Sequence, residues 1–180
     1  MQHVADARGN PLLRYLARKR VPLGFVTAVV TAVLAQPTWT SWRLGLVIAI
    51  VGELIRIWAA GHLEKGREVT RSGPYRWSAH PLYVGSSVMA LGIVIAAHSV
   101  IVGVLAVVYM VATLTAAVLT EEAFLRRRFG GAYDEYRRSE GEEMSRRFSA
   151  ARAWRNKEYR AVVGLLIGFA FLALRVSTPI

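Results

Sequence analysis

The sequence contains no cysteine. Disulfides, thiolate metal ligands, cysteine nucleophiles and S-acylation are therefore excluded, while the redox compartment stays open. Acidic residues are scarce: 12 Asp and Glu stand against 23 Lys and Arg, a formal net charge of +11. No GxGxxG follows a strand pattern, and neither a Walker loop nor an HExxH pair is present, so soluble nucleotide folds and zinc-protease chemistry find no support. The four histidines, His3, His62, His80 and His98, are scattered, and without thiolates they suggest no metal site. No internal repeat, low-complexity tract or pair of broken helices appears, which argues against a transporter.

What the chain has is apolarity in blocks. Hydrophobic residues make up 54% of the sequence, and the blocks approach the roughly 20 residues that a helix needs to cross about 30 Å of hydrocarbon. The basic residues flank these blocks, so anionic lipid headgroups are the expected partner and nucleic acid is not. The start, Met1 to Arg20, is long and strongly basic with no small-residue cleavage site after the next apolar run, so the first helix is expected to be retained.

The expected fold is all-α: a single polytopic membrane domain over 1–180 with about five transmembrane helices. They are placed near 21–35, 42–62, 81–97, 100–120 and 161–176. The first stops at Gln36-Pro37-Thr38, and Trp39 and Trp42 suit the headgroup layer before the second. The apolar run from Pro81 to Thr120 is twice one crossing, broken only at His98-Ser99, and reads as a central helical hairpin. Polar segments fall at 1–20, 63–80 and 121–160, and part of the last is expected to lie on the membrane as an interfacial amphipathic helix. Five Lys and Arg lie in the first segment, four in the second and eleven in the third. Five crossings put all three on one side, which predicts a cytoplasmic N-terminus and active site and a C-terminus opposite.

Three places could carry chemistry. Within the second apolar block Glu53 and Arg56 are three apart and share a face, an arrangement that reduces the cost of either charge in hydrocarbon. The segment SGPYRWSAHPLYVG from Ser72 to Gly85 combines a Gly-Pro turn, a Pro81 suited to the first turn of a helix, and Gly85, which admits a close backbone or ligand. It sets His80 and Tyr83 three apart at the polar interface. The stretch EEAFLRRRFGGAYDEYRR from Glu121 to Arg138 follows the hairpin. Glu121 and Glu122 are expected at a helix C-terminus, where the macrodipole disfavours them and a cationic ligand would supply a reason for their presence. Each place alone also reads as structural: an ion pair, a capped helix start, a charged helix exit.

Taken together, GPY…HPLYVG followed by EEAFLRRRFGGAYDEY resembles the isoprenylcysteine carboxyl methyltransferase and phospholipid methyltransferase family of integral membrane enzymes. The likeness covers roughly Gly52 to Tyr136. It implies an S-adenosylmethionine site at the cytoplasmic surface, with His80, Tyr83 and Gly85 lining it and Glu121 or Glu122 holding its amino or sulfonium side. Tyr133 and Tyr136 would close over the adenosine. It further implies methyl transfer to a lipid or lipid-like acceptor, with the segment Arg56 to His62 and Glu64 lining the substrate tunnel. Glu53, the acid within the second apolar block, joins Arg56 and Glu64 as a catalytic candidate, and for an amine acceptor Glu53, Glu64 or Glu122 is available to accept the proton. The family's arginine before the histidine is here Ala79, with Arg76 one turn earlier. Two alternatives stay open: a nicotinamide-dependent reductase of a sterol or isoprenoid lipid, and a lipid-binding membrane protein without enzymatic activity.

Overall fold

The computed structural model describes residues 11–138 and 144–178. Parts of the expected basic segments, 1–10 and 139–143, lie outside the described residues. Among the described residues there are seven α-helices, one 3-10 turn and no strand. They are α1 (Pro11–Leu34), α2 (Trp39–His62), the turn Gly73–Arg76, α3 (Pro81–Ala97), α4 (Val100–Phe129), α5 (Gly131–Arg137), α6 (Ala150–Arg155) and α7 (Tyr159–Ser177). By length and composition α2, α4 and α7 can each cross a membrane, and Val21–Leu34 and Pro81–Ala97 are shorter apolar helices. The all-helical membrane architecture expected from the sequence is thus found.

Local chemistry explains the helix ends. Thr38 and Ser41 form a capping box, with Thr38 N–H donating to Ser41 Oγ at 2.9 Å and Ser41 N–H to Thr38 Oγ1 at 3.1 Å. This starts α2 at Trp39, three residues before the apolar pattern alone suggests. Pro81 occupies the first turn of α3, where its missing donor costs nothing. His98 ends α3 in the left-handed conformation at φ 48°, and Ser99 caps α4. Within the charged stretch 121–160, the described residues form the last turns of α4, the short helices α5 and α6, and the first residues of α7.

Two differences from the sequence expectation matter. α4 does not stop near residue 120 but runs on to Phe129, where Gly130 takes a positive φ of 49°. Glu121 and Glu122 therefore sit about two turns inside the helix. The last turn carries Arg126, Arg127 and Arg128, whose charges suit the C-terminal end of the dipole, so the macrodipole argument for a ligand at those acids falls away. The second difference concerns the hairpin: α3 and α4 are joined by the tight His98-Ser99 turn but make few contacts, whereas α3 packs chiefly on α2 and α4 on α1.

The α2–α3 pairing follows from side-chain size. Lipid tails are as apolar as leucine, so membrane helices associate where small residues let backbones approach. A Cβ on Gly52 would stand 2.7 Å from the Gly85 carbonyl oxygen, and one on Gly92 would stand 2.6 Å from that of Gly45. The two helices run antiparallel along this seam, closed at one end by Ser41 Oγ donating to Ala96 O at 3.3 Å. α7 lies against α2: Trp42 Nε1 donates to Phe169 O at 2.9 Å, and Arg175 reaches Ala35 O at 2.9 Å. The core, with Ala49, Ala96, Ala97, Val102, Phe169 and Leu172, gathers at this end of the bundle. The polar segments 63–80 and 121–160 meet at the other end.

Candidate active site

At that polar end, the beginning of α3 faces the charged part of α4. His80 precedes Pro81 and is held outside the helix by it, so its ring and that of Tyr83, one turn on, stack at 5.6 Å. Both reach across to the acids of α4. His80 Nε2 lies 3.3 Å from Glu122 Oε1, and Tyr83 donates its hydroxyl to Glu121 Oε2 at 2.7 Å. His80 Nδ1 is 4.0 Å from Glu121, and Arg137 of α5 stands 3.6 Å from Glu122. Glu122 is buried and Glu121 partly exposed. A cleft of about 380 Å³ opens beside this cluster, with His80 and Tyr83 at one wall and Val84, Leu114 and Val118 among the apolar residues at the others.

The glycine pair Gly130-Gly131 turns the chain from α4 into α5, which brings Tyr133 and Tyr136 back toward the site, their rings 6.2 Å apart. Tyr136 donates to the Tyr75 carbonyl at 2.7 Å and lies 3.3 Å from that of Ser78. Burial pushes its phenol up to about 12, opposed by the nearby Arg137 and Arg71 charges. Tyr133 is fully buried, and its hydroxyl has no hydrogen-bond partner among the described residues. Burial raises the pKa of Tyr133 and of Tyr75, so both remain neutral donors.

Beneath the Gly-Pro-Tyr turn lies one of the four scattered histidines, to which spacing alone gives no role. His62 is buried, its Nδ1 is 3.2 Å from Ser72 Oγ, and its ring fills the space a Cβ on Gly73 would need, 2.6 Å away. Gly73 also takes a φ of 57°, so the position demands glycine twice over. Over His62 lies a strap formed by residues 144–156. Phe148 rests on Gly61, Ser149 N–H donates to Gly61 O at 3.1 Å, and Asn156 Nδ2 donates to Ala60 O at 2.8 Å and Leu63 O at 2.9 Å. These donors satisfy carbonyls that the end of α2 leaves open. Nothing in an arginine-rich stretch indicates which carbonyls it caps, although the isolated Phe148 among charges was a usable signal.

The remaining predicted residues lie in other contacts. Gly85 faces α2 and not the cleft: its Cβ would meet Arg56 Cγ and Gly52 O, each at 2.7 Å. Arg56 is held between two acids, with Glu158 at 2.8 Å and Glu53 at 3.5 Å, and it also donates to Ser86 on α3. Glu64 accepts from Arg152 Nε at 2.9 Å and Arg155 at 3.2 Å. The Arg152 hydrogen bond, aided by the neighbouring positive charges, holds its carboxyl below the usual carboxylate range. Arg76 stands in the Gly-Pro-Tyr turn. Among the described residues no three His, Asp or Glu side chains come together as a metal site.

The pattern of the phospholipid methyltransferase family matches residues 23–132, which takes in both sides of the cleft and most of the bundle. The nickel-cobalt-cadmium resistance protein NccN of Alcaligenes xylosoxydans xylosoxydans is 29% identical over 151 residues, covering 74% of this chain and 68% of its own. No solved structure matches the chain.

Proposed function

The chain belongs to the phospholipid methyltransferase family, and from that premise we propose that it transfers a methyl group from S-adenosylmethionine to a lipophilic acceptor, an isoprenoid or phospholipid, at the cytoplasmic face of the membrane. The observation that carries this reading is the meeting of the two motifs: His80 of the first stands 3.3 Å from Glu122 of the second, beside a cleft with an apolar wall.

The residues suit the cofactor. Two carboxylates flanked by an imidazole and a phenol favour a small cation, and the buried, unpartnered Tyr133 hydroxyl leaves a donor for a bound group. The cleft of about 380 Å³ lies within the range of small-molecule pockets. When bound, S-adenosylmethionine supplies a methyl group already activated by a positive sulfur, so the protein has to align donor and acceptor and keep water out. Glu122, steadied by His80 and Arg137, and Glu121, steadied by Tyr83, hold the cation. Tyr133 and Tyr136 carry α5 over the site, and the apolar wall receives the acceptor from the bilayer. We assign Glu53, Arg56 and Glu64 to the acceptor side, where Arg56 reaches Ser86 next to the cleft. For an amine acceptor, Glu122 is the acid placed to take the proton, because its partner His80 lines the cleft, whereas Glu53 and Glu64 do not line it. Gly85 serves this site by letting α3 close on α2.

Five crossings with the N-terminus cytoplasmic are part of the same reading, supported by the contact between the two described basic segments at one end of the bundle. A reporter fused after Ile180 is expected to be active only outside the cytoplasm.

The deciding experiment is thermal unfolding of the detergent-purified chain with S-adenosylmethionine or a reduced nicotinamide. A ligand at a hundredfold excess over its Kd stabilises by about 2.7 kcal/mol. The methyl donor is expected to raise Tm and the nicotinamide to leave it unchanged, with the shift abolished in His80→Ala. Absence of any shift with the methyl donor would overturn the reading, as would its survival in that variant. Isotopically labelled donor incubated with lipid extract then identifies the acceptor.

A further inference from the structure

At the end of the bundle opposite His80, the gap between α3 and α4 widens into a crevice of about 980 Å³, at the upper end of the range for ligand pockets. Its walls are aliphatic, with Leu44 from α2, Val94 from α3 and Val104 and Val107 from α4. Its rim is polar but uncharged, and carries Thr40 and His98. Neither the Thr40 hydroxyl nor the His98 imidazole hydrogen-bonds another described residue. No Asp, Glu, Lys or Arg lines the crevice, in contrast to the arginine-rich opposite end.

We propose that this crevice binds one bilayer lipid of the leaflet opposite the His80 cleft, with a net-neutral head that offers oxygen acceptors to His98 and Thr40 and a chain lying against the valines. Water does not fill an apolar gap at hydrocarbon depth, so the part of the occupant that lies against the valines is apolar. A helix from a second copy meets that condition but has its backbone groups bonded internally, which leaves the imidazole and hydroxyl of the rim unmatched; a lipid head supplies their partners. With no Lys or Arg in the lining to compensate its charge, a net-anionic head is disfavoured here. The bound lipid braces α3 away from α4, the same two helices that line the His80 cleft. The site stands independently of methyl transfer.

The test uses the full chain in detergent micelles with a photoreactive phosphatidylcholine whose diazirine lies near the ester end of one chain. Expected is saturable labelling of residues 94–108, displaced by dioleoylphosphatidylcholine at concentrations at least tenfold lower than by dioleoylphosphatidylglycerol. Labelling is lost in Val107→Trp and weakened in His98→Ala, with helical circular dichroism unchanged. Should Val107→Trp not fold, Gly103→Leu serves instead, since a Cβ there stands 3.4 Å from Val94 Cγ1 and longer branches enter the crevice. Non-saturable labelling indifferent to these variants would mean ordinary surrounding lipid and would overturn the proposal, and equal displacement by the anionic lipid would overturn the head-group assignment. The cysteine-free chain offers a further check: a Val104→Cys disulfide between copies in phosphatidylcholine vesicles would give the crevice to a second chain.

Discussion

Tyr136 on α5 donates its hydroxyl to the carbonyl of Tyr75, 2.7 Å away, so the last tyrosine of one motif is fastened to the tyrosine of the other. The bond holds α5 over the turn that leads into His80. It links segments separated by the whole of α3 and α4, and for that reason no local pattern announces it.

Tyr136→Phe removes one donor and leaves a buried carbonyl short of a partner, a change that costs about 1–3 kcal/mol. A lower Tm is expected, together with weaker binding of the methyl donor. The pH dependence follows from the phenol's rise to about 12. A neutral form favoured by folding stabilises fully below the unfolded tyrosine value of about 10, and the gain is lost as pH climbs toward the folded value. The stability gap between wild type and Tyr136→Phe should therefore be constant near neutrality and narrow in strong alkali; a gap that widens there would contradict the assignment.

The helices were legible because apolar length is a crude and robust signal: α3 lies where the Pro81 start and the His98-Ser99 break place it. The end of α4 was not, because Glu121 to Arg128 reads as a polar exit until the acids are seen paired with His80 and Tyr83. Partner choice was also hidden. Chain order suggests that α3 embraces α4, but the seam of Gly45, Gly52, Gly85 and Gly92 pairs α3 with α2. The motif residues His80, Tyr83, Glu121 and Glu122 could be named in advance, whereas Glu158 as a partner of Arg56 and the strap over His62 depend on contacts about a hundred residues apart in the chain.

That seam makes a sharp contrast with the glycines of α7. Gly52→Val drives side-chain atoms into the backbone of α3, where a Cβ already stands 2.7 Å from Gly85 O, and overpacking of this kind costs about 1–3 kcal/mol. Gly164→Ala meets nothing within 4 Å and gains helix propensity of about 0.8–1.0 kcal/mol. Thermal unfolding in one detergent should move in opposite directions for the two substitutions. Equal destabilisation would refute the close approach of α2 and α3.

Arg56 bridges three helices, with Glu53 on its own helix, Ser86 on α3 and Glu158 at the start of α7. Removing it leaves two buried carboxylates without their cation, and loss of one member of a buried pair costs about 3–5 kcal/mol. Arg56→Met should fall near that range, and Glu158→Gln, which keeps shape and one acceptor, should cost less. Combining Arg56→Met with Glu53→Gln and Glu158→Gln should recover much of the loss, since the stranded charges are then gone. Denaturation of the three variants beside wild type checks this, and a triple variant no better than Arg56→Met would show that the cluster is not coupled.

The strap over His62 depends on two acids, Glu64 with Arg152 and Arg155, and Glu68 with Arg146. The Arg152 hydrogen bond, with the surrounding positive charge, depresses the Glu64 carboxyl. A depressed carboxylate stabilises the docked form above its unfolded value of about 4.3, and the contribution is lost as pH falls through the lower folded value. Docking should therefore persist through mild acid and fail only below the ordinary carboxylate range. Phe148, half-exposed where it rests on Gly61, offers the readout, because an acid protease that prefers aromatic residues reaches it only when the strap lifts. Wild type should resist cleavage at Phe148 until the pH drops below that range, while Glu64→Gln should be cut at milder pH, and added salt should move wild type toward the variant because the pairs are partly solvated. Identical cleavage profiles for the two chains would mean that the charge of Glu64 contributes nothing to docking of the strap.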